Sequence, residues 1–509
     1  MAEEIEIKLA LPTSLPTARR ALLRHPLLTQ ASKLGTRKLL NIYFDTPDFL
    51  LHKHAIALRT RKQGRQWLQT VKCAHNEDAD PSTSSVGGLA VRPEWEQPYS
   101  GSFDFSGVDN KKVRALLERP KVRAALTPIF ETTFSRSTWR LSPAQGSTVL
   151  LMLDQGSIQA NGATETIAEV ELELEHGEAA HLFDLAMTLC ADIALQPAVL
   201  SKAERGFRLY GGAVLAPVKA VGSAVRRDQT PWEAFRTITA ACLLQLQLNE
   251  LGAEKNDIEF IHQMRVALRR LRAALRTFAP IITPEFMAIA VPRIRTLARA
   301  LGHARDHDVL QGEILAPVRR ALPQEARVAA LCAAMEAESQ TMRDHARAAL
   351  ASTEHAQLLL SFAALLHAQK SDVGAEAILH FAARRLDKLH KKLRQLAQAA
   401  EQLDVTALHA LRVGCKRLRY AIEFFAPLYR EKGVQRTLAT LVTLQNSLGA
   451  LNDLASAGAP LMQCAGNDAT LREAVTLIGG WHGPRYETLR AMLPGRIGAL
   501  LKMKRHWRH

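Results

Sequence analysis

Between residues 1 and 175 the chain repeats one pattern, charge on alternate residues, and this narrows its possible folds more than any other feature. It is plainest in Glu4-Ile5-Glu6-Ile7-Lys8. Side chains of a β-strand point alternately to its two faces. A strand here puts Glu4, Glu6 and Lys8 on one face and Ile5, Ile7 and Leu9 on the other. Alone, such a pentapeptide reads as a solvated edge strand. Later segments repeat the arrangement, however. Arg59 and Arg61 share a face, as do Thr70 and Lys72, then Arg92, Glu94 and Glu96, then Arg136 and Arg140, then Glu169, Glu171, Glu173 and Glu175.

The alternation and its turn signals predict strands near 3–11, 38–45, 54–62, 66–73, 90–98, 129–141, 148–155 and 164–175. So many short strands in sequence point to a closed or nearly closed antiparallel barrel. Helical patterns near 15–31, 108–125 and 178–191 can cover one face, and 74–90, with Pro81, Ser82, Ser84, Ser85, Gly87 and Gly88, reads as a mobile loop. Two polarities are open. With the charges inside, the interior must be wet and occupied, because a dry one would cost several kcal/mol per ion. Carboxylates there would collect hard divalent cations, and Arg and Lys would grip phosphate oxygens. With the charges outside, the core is apolar. Parity leaves both standing.

Charge separates the chain into two halves. Residues 1–210 hold 25 Lys+Arg and 24 Asp+Glu, whereas 211–509 hold 41 and 26. The basic half calls for a polyanionic partner: nucleic acid, anionic membrane or polyphosphate. No apolar run approaches the ~20 residues of a membrane span. The N-terminus enters a strand directly, so no signal peptide is expected, and the six cysteines show no zinc or C-x-x-C spacing. The expected location is the cytoplasm, with polyphosphate granules as a further place. Neither a Walker-type nor a G-x-G-x-x-G loop is present.

Glu4-x-Glu6-x-Lys8, Tyr43-Phe44-Asp45-Thr46, Leu58-Arg59-x-Arg61, Thr70-x-Lys72, Arg92-x-Glu94-x-Glu96, Asp154-x-Gly156, Glu169-x-Glu171-x-Glu173 and Ser201-Lys202 occur in this order. Together they resemble the CYTH domain, the triphosphate tunnel metalloenzyme family, across most of residues 1–210. The resemblance implies an eight-stranded tunnel that hydrolyses a triphosphate with Mg2+ or Mn2+. Glu4, Glu6, Glu169 and Glu171 would hold metal, with Asp154 assisting. Lys8, Arg59, Arg61, Lys72, Arg136 and Lys202 would grip phosphates, and Glu4, Glu6 and Lys8 would form the catalytic strand. Arg37 and Lys38 have no motif to fix their register. The family also includes adenylate cyclases and thiamine triphosphatases. No base- or thiazole-recognition feature is visible in the sequence, which puts inorganic triphosphate first.

Residues 211–224 read as a linker, and 225–509 as helical. His262-x-x-Arg265-x-x-x-Arg269-Arg270-Leu271-Arg272 recurs as His409-x-x-Arg412-x-x-x-Lys416-Arg417-Leu418-Arg419, and Leu301-Gly302…Asp306 recurs as Leu448-Gly449…Asp453, both offset by 147. Two motifs with one offset indicate duplication, each copy a bundle of roughly four helices. At about 100° per residue, His262, Arg265, Arg269 and Arg272 fall within one arc, with Arg270 to its side, and His409, Arg412, Lys416 and Arg419 repeat it. Like charges so spaced disfavour an isolated helix, which points to a bound anion. A solvated basic face is the plainer reading of a single copy.

This half is similar to the CHAD domain, which implies two pseudo-symmetric four-helix bundles whose basic faces bind inorganic polyphosphate. Lys416 in place of an arginine keeps the charge and loses the fork. The CYTH–CHAD pairing resembles bacterial inorganic triphosphatases. The expected fold is multidomain α+β, an antiparallel eight-stranded β tunnel with flanking helices followed by an all-α domain. The alternatives are a polyphosphate-granule protein with little hydrolase activity and an enzyme acting on thiamine triphosphate or ATP. No membrane partner is expected, and nucleic acid is disfavoured because the basic helices lack interleaved aromatics. Arg384, Arg385, Lys388, Lys391 and Lys392 could extend the anion site or be a solvated face. His303 and His307 beside Asp306 read as helix-end groups, and the tail 502–508 reads as a frayed end.

Overall fold

The computed structural model describes residues 2–11, 15–73, 86–144, 146–212, 215–255, 257–368 and 376–508. Pro81, Ser82, Ser84 and Ser85 of the expected loop lie outside them. The chain forms two compact units, 1–216 with 351–369, and 217–350 with 370–509. The change of unit after Ala216 lies inside the expected linker. Residues 351–369 depart from a linear division, since they pack with the strands.

In the first unit eight strands close into an antiparallel barrel: β1 (Ala2–Ala10), β2 (Ser32–Asp45), β3 (Ile56–Gln63), β4 (Gln66–Cys73), β5 (Leu89–Pro98), β6 (Thr127–Leu141), β7 (Thr148–Ala160) and β8 (Ala163–His176). Their order is β5-β4-β3-β2-β6-β7-β8-β1, and β1 pairs with β5 to close the ring. Full closure leaves no long unpaired edge. The expected strands are all present. β2 starts earlier, through a bulge at Gly35, and β7 runs past Gly156. The helix expected at 15–31 is two, Leu15–Arg24 and Pro26–Thr29, because His25 caps the second and Pro26 starts it. Likewise 108–125 divides into Lys111–Leu117 and Pro120–Ala125 at Pro120.

The barrel settles the polarity: the charged parity faces inward. Directly opposed residues share a face, and the ladder matches Lys8 with Glu171, Glu6 with Glu173, Lys72 with Glu94, and Arg136 with Asp154. The other parity is apolar and covered from outside. Leu58 and Val71, for example, are buried against Leu51, Phe105, Leu117 and Val122.

In the second unit each copy supplies four long helices. Those of the first copy are Pro231–Leu248, Ile258–Thr277, Pro284–Val309 and Ala326–Leu350. Those of the second are Ile378–Ala399, Val405–Phe425, Glu431–Ser456 and Ala469–Leu501. The duplication reaches the caps. Asp257 accepts from the Glu259 N–H and Asp404, 147 residues later, from the Ala407 N–H. The copies share their cores. Phe278 packs on Phe235 of its own copy and on Phe381 and Phe425 of the other, at centroid distances of 5.2–5.6 Å. A second core joins Val328, Leu331 and Met335 to Leu461, Ala474 and Ile478.

The C-terminal tail is docked, not frayed. Trp507 is buried and donates to Asp387 (3.1 Å), Arg508 donates to the same carboxylate (2.6 Å), and His506 lies 2.8 Å from the Thr437 hydroxyl. An indole that can be buried with its N–H paired outweighs the fraying of a short basic tail. Among the described residues no single helix is long and apolar enough to cross a membrane; only the bent pair Ala326–Leu350 and Thr353–His367 passes on length and composition.

Candidate functional site

The barrel encloses a cavity of about 950 Å³ lined by Glu4, Glu6, Lys8, Arg59, Arg61, Lys72, Arg136, Glu171 and Lys202. All come from the expected set, and all but Lys202 meet because every second residue of five strands points inward. Lys202 arrives differently. It is the first residue of the helix Lys202–Tyr210, which a capping box between Ser201 and Glu204 starts. The S-x-x-E spacing was the available signal for that helix. It packs on β6, where Phe130 leaves no room for a side chain at Gly206.

Asp154, Glu169 and Glu171 each offer an oxygen within 4.8 Å of the other two. Hard carboxylate oxygens at this density suit a divalent cation. In the structure three cations of the chain hold them. The Lys202 ammonium lies 2.8 Å from Asp154 and 3.0 Å from Glu171 and also pairs with Glu169. Arg136 forks onto Asp154 (2.8 and 2.6 Å) and reaches Glu171. Arg205 pairs with Glu169 at 3.1 Å. Asp154 and Glu169 therefore sit in the wall behind Lys202 and Arg136, and Glu171 faces the lumen. Burial opposes these charges, yet Lys202, Arg136 and Lys8 hold the Glu171 carboxyl well below the usual range.

Two groups of the lumen lack a full counter-charge. At one, Glu6 stands directly across from Glu173, with Glu4 two residues away. Lys8 pairs with Glu6, and Lys72 with Glu4 and Glu94 (3.1 Å). Burial, then Glu4 and Glu6, push the Glu173 carboxyl up to about 7. At the other, Arg61 donates to Asn41 (2.8 Å) and lies 3.9 Å from Glu96. Burial, with Arg59 and Arg136 alongside, lowers its guanidinium to about 10. Glu173 is short of a cation and Arg61 short of an anion. Glu173, Arg92, Glu94 and Glu96 also line the cavity, and their motifs on β5 and β8 made them legible in the sequence. Arg37 and Lys38 are exposed on β2 and are not among the cavity residues.

In the helical unit the two basic arcs meet, because Ile258–Thr277 packs on Val405–Phe425. Burial and the nearby Arg412, Arg269 and Arg265 lower the Lys416 ammonium to about 8. Burial, then Arg305, lower His262. Farther along the same face, burial with Arg295 and Arg417 lowers Arg272, and burial with Arg417, Arg272 and Arg295 lowers Arg276. Arg276, Arg295 and Arg305 were not singled out by the duplicated motif, although Arg276 falls in its arc.

The second motif now has a structural reason. Arg265 crosses Gly302, donates to the Leu301 carbonyl (3.3 Å) and pairs with Asp306 (3.2 Å); Arg412 lies over Gly449 and pairs with Asp453 (3.9 Å). The first histidines differ in setting: His409 lies 3.4 Å from Asn452, where the first copy has Arg305. Arg270 and Arg419 lie off the shared cluster, both on Glu423 at 3.6 and 2.9 Å, whereas Arg417 is exposed. Of the undecided cations, Arg384 pairs with Glu376 and Arg385 donates to the Arg276 carbonyl (2.7 Å).

Comparison with known proteins agrees with both halves. The CYTH domain family matches residues 2–207 and the CHAD domain family residues 237–461. An inorganic triphosphatase of Haemophilus influenzae is 32% identical over 216 residues, covering 41% of this chain and 55% of that relative. An uncharacterized protein of Mycobacterium tuberculosis is 26% identical over 418 residues, covering 76% of this chain and 75% of that one. Among solved structures, the CHAD domain of the plant Ricinus communis is 32% identical, covers 57% of this chain and 98% of its own length, and superposes with a TM-score of 0.49. The chain thus joins a CYTH domain, at residues 2–207, to a CHAD domain at residues 237–461.

Proposed function

We propose that the barrel hydrolyses inorganic triphosphate to pyrophosphate and phosphate with Mg2+ or Mn2+, and that the helical unit binds inorganic polyphosphate. The observation that carries the first part is a lumen lined by carboxylates and by Lys and Arg together, in which Glu173 is short of a cation and Arg61 short of an anion. A linear polyanion carrying a divalent cation is complementary to both kinds of group at once. The Haemophilus influenzae relative, whose name is that activity, supports the reading.

Glu4, Glu6 and Glu171, with Glu173 beside them and Asp154 and Glu169 behind, would hold the cation. When bound, a divalent cation neutralises phosphoryl charge and orders a water for in-line attack. Arg59, Arg61 and Arg136 would fork onto phosphate oxygens, and Lys8, Lys72 and Lys202 would add point charges. Each of these cations already has a fixed partner, so little reorganisation is needed when charge develops. Lys8, Arg59 and Lys202 are buried, which strengthens their charged contacts relative to water.

Phosphate release from triphosphate, ATP, thiamine triphosphate and long polyphosphate, with and without each metal, tests the proposal. Metal-dependent turnover highest on inorganic triphosphate is expected; no turnover with either metal would leave a polyphosphate-binding protein. An organic triphosphate has one observation in its favour. Tyr43 and a stacked His52–Phe207 pair (4.3 Å) line the same cavity and offer aromatic surface to a base or thiazole. Higher turnover on ATP or thiamine triphosphate would select that reading.

A further inference from the structure

The helix Thr353–His367 follows residues 217–350 of the helical unit in sequence, yet it is built into the barrel unit. Its Ala356, Leu359, Leu360, Phe362, Ala363 and Leu366 are buried. It packs on the helix Ala180–Asp192 and on Gln196–Pro197, a two-residue bridge paired to the end of β1. Gln196 donates to the Ser352 carbonyl at 3.0 Å, and the Phe183 and His367 rings are 5.9 Å apart.

This helix touches the turn that holds Lys8. Gly87 and Gly88 have φ of +63° and +80°, a region that favours glycine. A side chain on Gly87 would come within 2.5 Å of the Ala363 Cβ and 2.9 Å of the Leu359 carbonyl oxygen. A side chain on Gly88 would come within 2.5 Å of the Lys8 carbonyl oxygen. The Lys8 N–H donates to the Gly88 carbonyl (2.9 Å), and the Lys8 carbonyl accepts from the Ala198 N–H (2.9 Å). Lys8 is therefore gripped on both sides of its backbone by segments that lean on the helix, and its ammonium reaches Glu6 and Glu171. Contacts this tight transmit displacement, because packed interiors do not compress.

We infer that the helix Thr353–His367 is a positioning element of the tunnel: through Gly87–Gly88 and Gln196–Pro197 it sets where β1 presents Lys8 and Glu6. The consequence for activity rests on the triphosphatase reading; the consequence for the Lys8 backbone does not. The CYTH match at residues 2–207 would on this inference be incomplete as a working unit without a segment that lies inside the span of the CHAD match.

Three full-length variants test it. Ala363→Leu adds bulk against Gly87, and Ala363→Gly removes the Cβ that meets it without a clash. Leu360→Ala empties an equally buried site of the same helix that is not among the nearest neighbours of Gly87. Amide exchange at Lys8, measured without substrate, should accelerate about tenfold in the first two, since its protection reports the bond to Gly88. Their KM for triphosphate should rise about fivefold, the scale of a sub-ångström misplacement. Leu360→Ala should lower Tm and leave both readouts as in the wild type. If Ala363→Leu does not fold, Ala363→Gly decides alone. Wild-type exchange at Lys8 in Ala363→Gly, or equal acceleration in Leu360→Ala, overturns the inference. Accelerated exchange in a protein without triphosphate turnover would uphold the positioning and reject the activity.

Discussion

The barrel lumen and the basic face of the helical unit both gather cations, but they treat them in opposite ways. In the lumen nearly every cation named here meets a carboxylate, as Lys202 meets Asp154 and Lys72 meets Glu94. On the helical face Arg265, Arg269, Arg412 and Lys416 crowd one another, Arg272 crowds Arg295 and Arg417, and Asp306 and Asp453 are the carboxylates that reach Arg265 and Arg412. A site of both signs selects a ligand by geometry, because each charge must find its counterpart. A site of one sign draws any polyanion by Coulomb attraction and counterion release, and it is sensitive to salt. The first arrangement suits chemistry on a short substrate, the second retention of a long polymer.

The hardest test of the contrast is Glu6→Ala. It should lower triphosphate turnover about 100-fold or more, on the scale of losing a preorganised charge at the reacting centre, and leave polyphosphate binding intact. Unchanged turnover at saturating metal would remove Glu6 from the site. Next in size, Arg265→Glu, Arg269→Glu and Arg272→Glu together should weaken polyphosphate binding and flatten its salt dependence by about 2 in log–log slope, at about 0.7 per phosphate by analogy with single strands. The equivalent change at Arg412, Lys416 and Arg419 should flatten it by less, about 1.4, because Glu423 already neutralises Arg419. Binding titrations of the full chain over a salt series read both. Equal slopes would show that Glu423 does not matter; wild-type slopes would make the face a solvated surface.

A smaller effect is expected from Lys72→Ala, about tenfold on KM for triphosphate from losing one charged contact, with less change in the metal requirement. Unaltered KM and kcat would take Lys72 out of the phosphate grip. The mildest test is pH. Lys416 titrates near 8 in the folded chain because burial and Arg412, Arg269 and Arg265 disfavour its charge. A base so lowered destabilises the fold while charged, so the anion-free protein should gain stability as pH rises through 8. Polyphosphate affinity should fall about threefold between pH 7 and 9 as one charge is lost. Lys416→Arg should abolish that dependence, and a wild-type profile in the variant would place the titration elsewhere.

Much of the site was legible because its two patterns are local. Period-two alternation marked the inward residues of each strand, and a repeated offset of 147 marked both arcs. The helix starting at Lys202 escaped notice although its S-x-x-E signature was present. Arg295 and Arg305 escaped because they sit on another helix, where nothing in sequence ties them to the motif. The tail 502–508 was misread because its anchor, Asp387, is more than a hundred residues away.

By itself the sequence determined the barrel's strands, the duplication and the list of charged residues, since each depends on spacing along a few turns or one strand. Tertiary structure alone decided which way the charged parity faces, since both polarities satisfy the same alternation. It alone set Glu173 across from Glu6, buried Arg270 on Glu423 while leaving its counterpart Arg417 exposed, and took Thr353–His367 out of the helical unit. Each of these turns on which distant surface a residue meets, and chain closure and packing, not local periodicity, fix that.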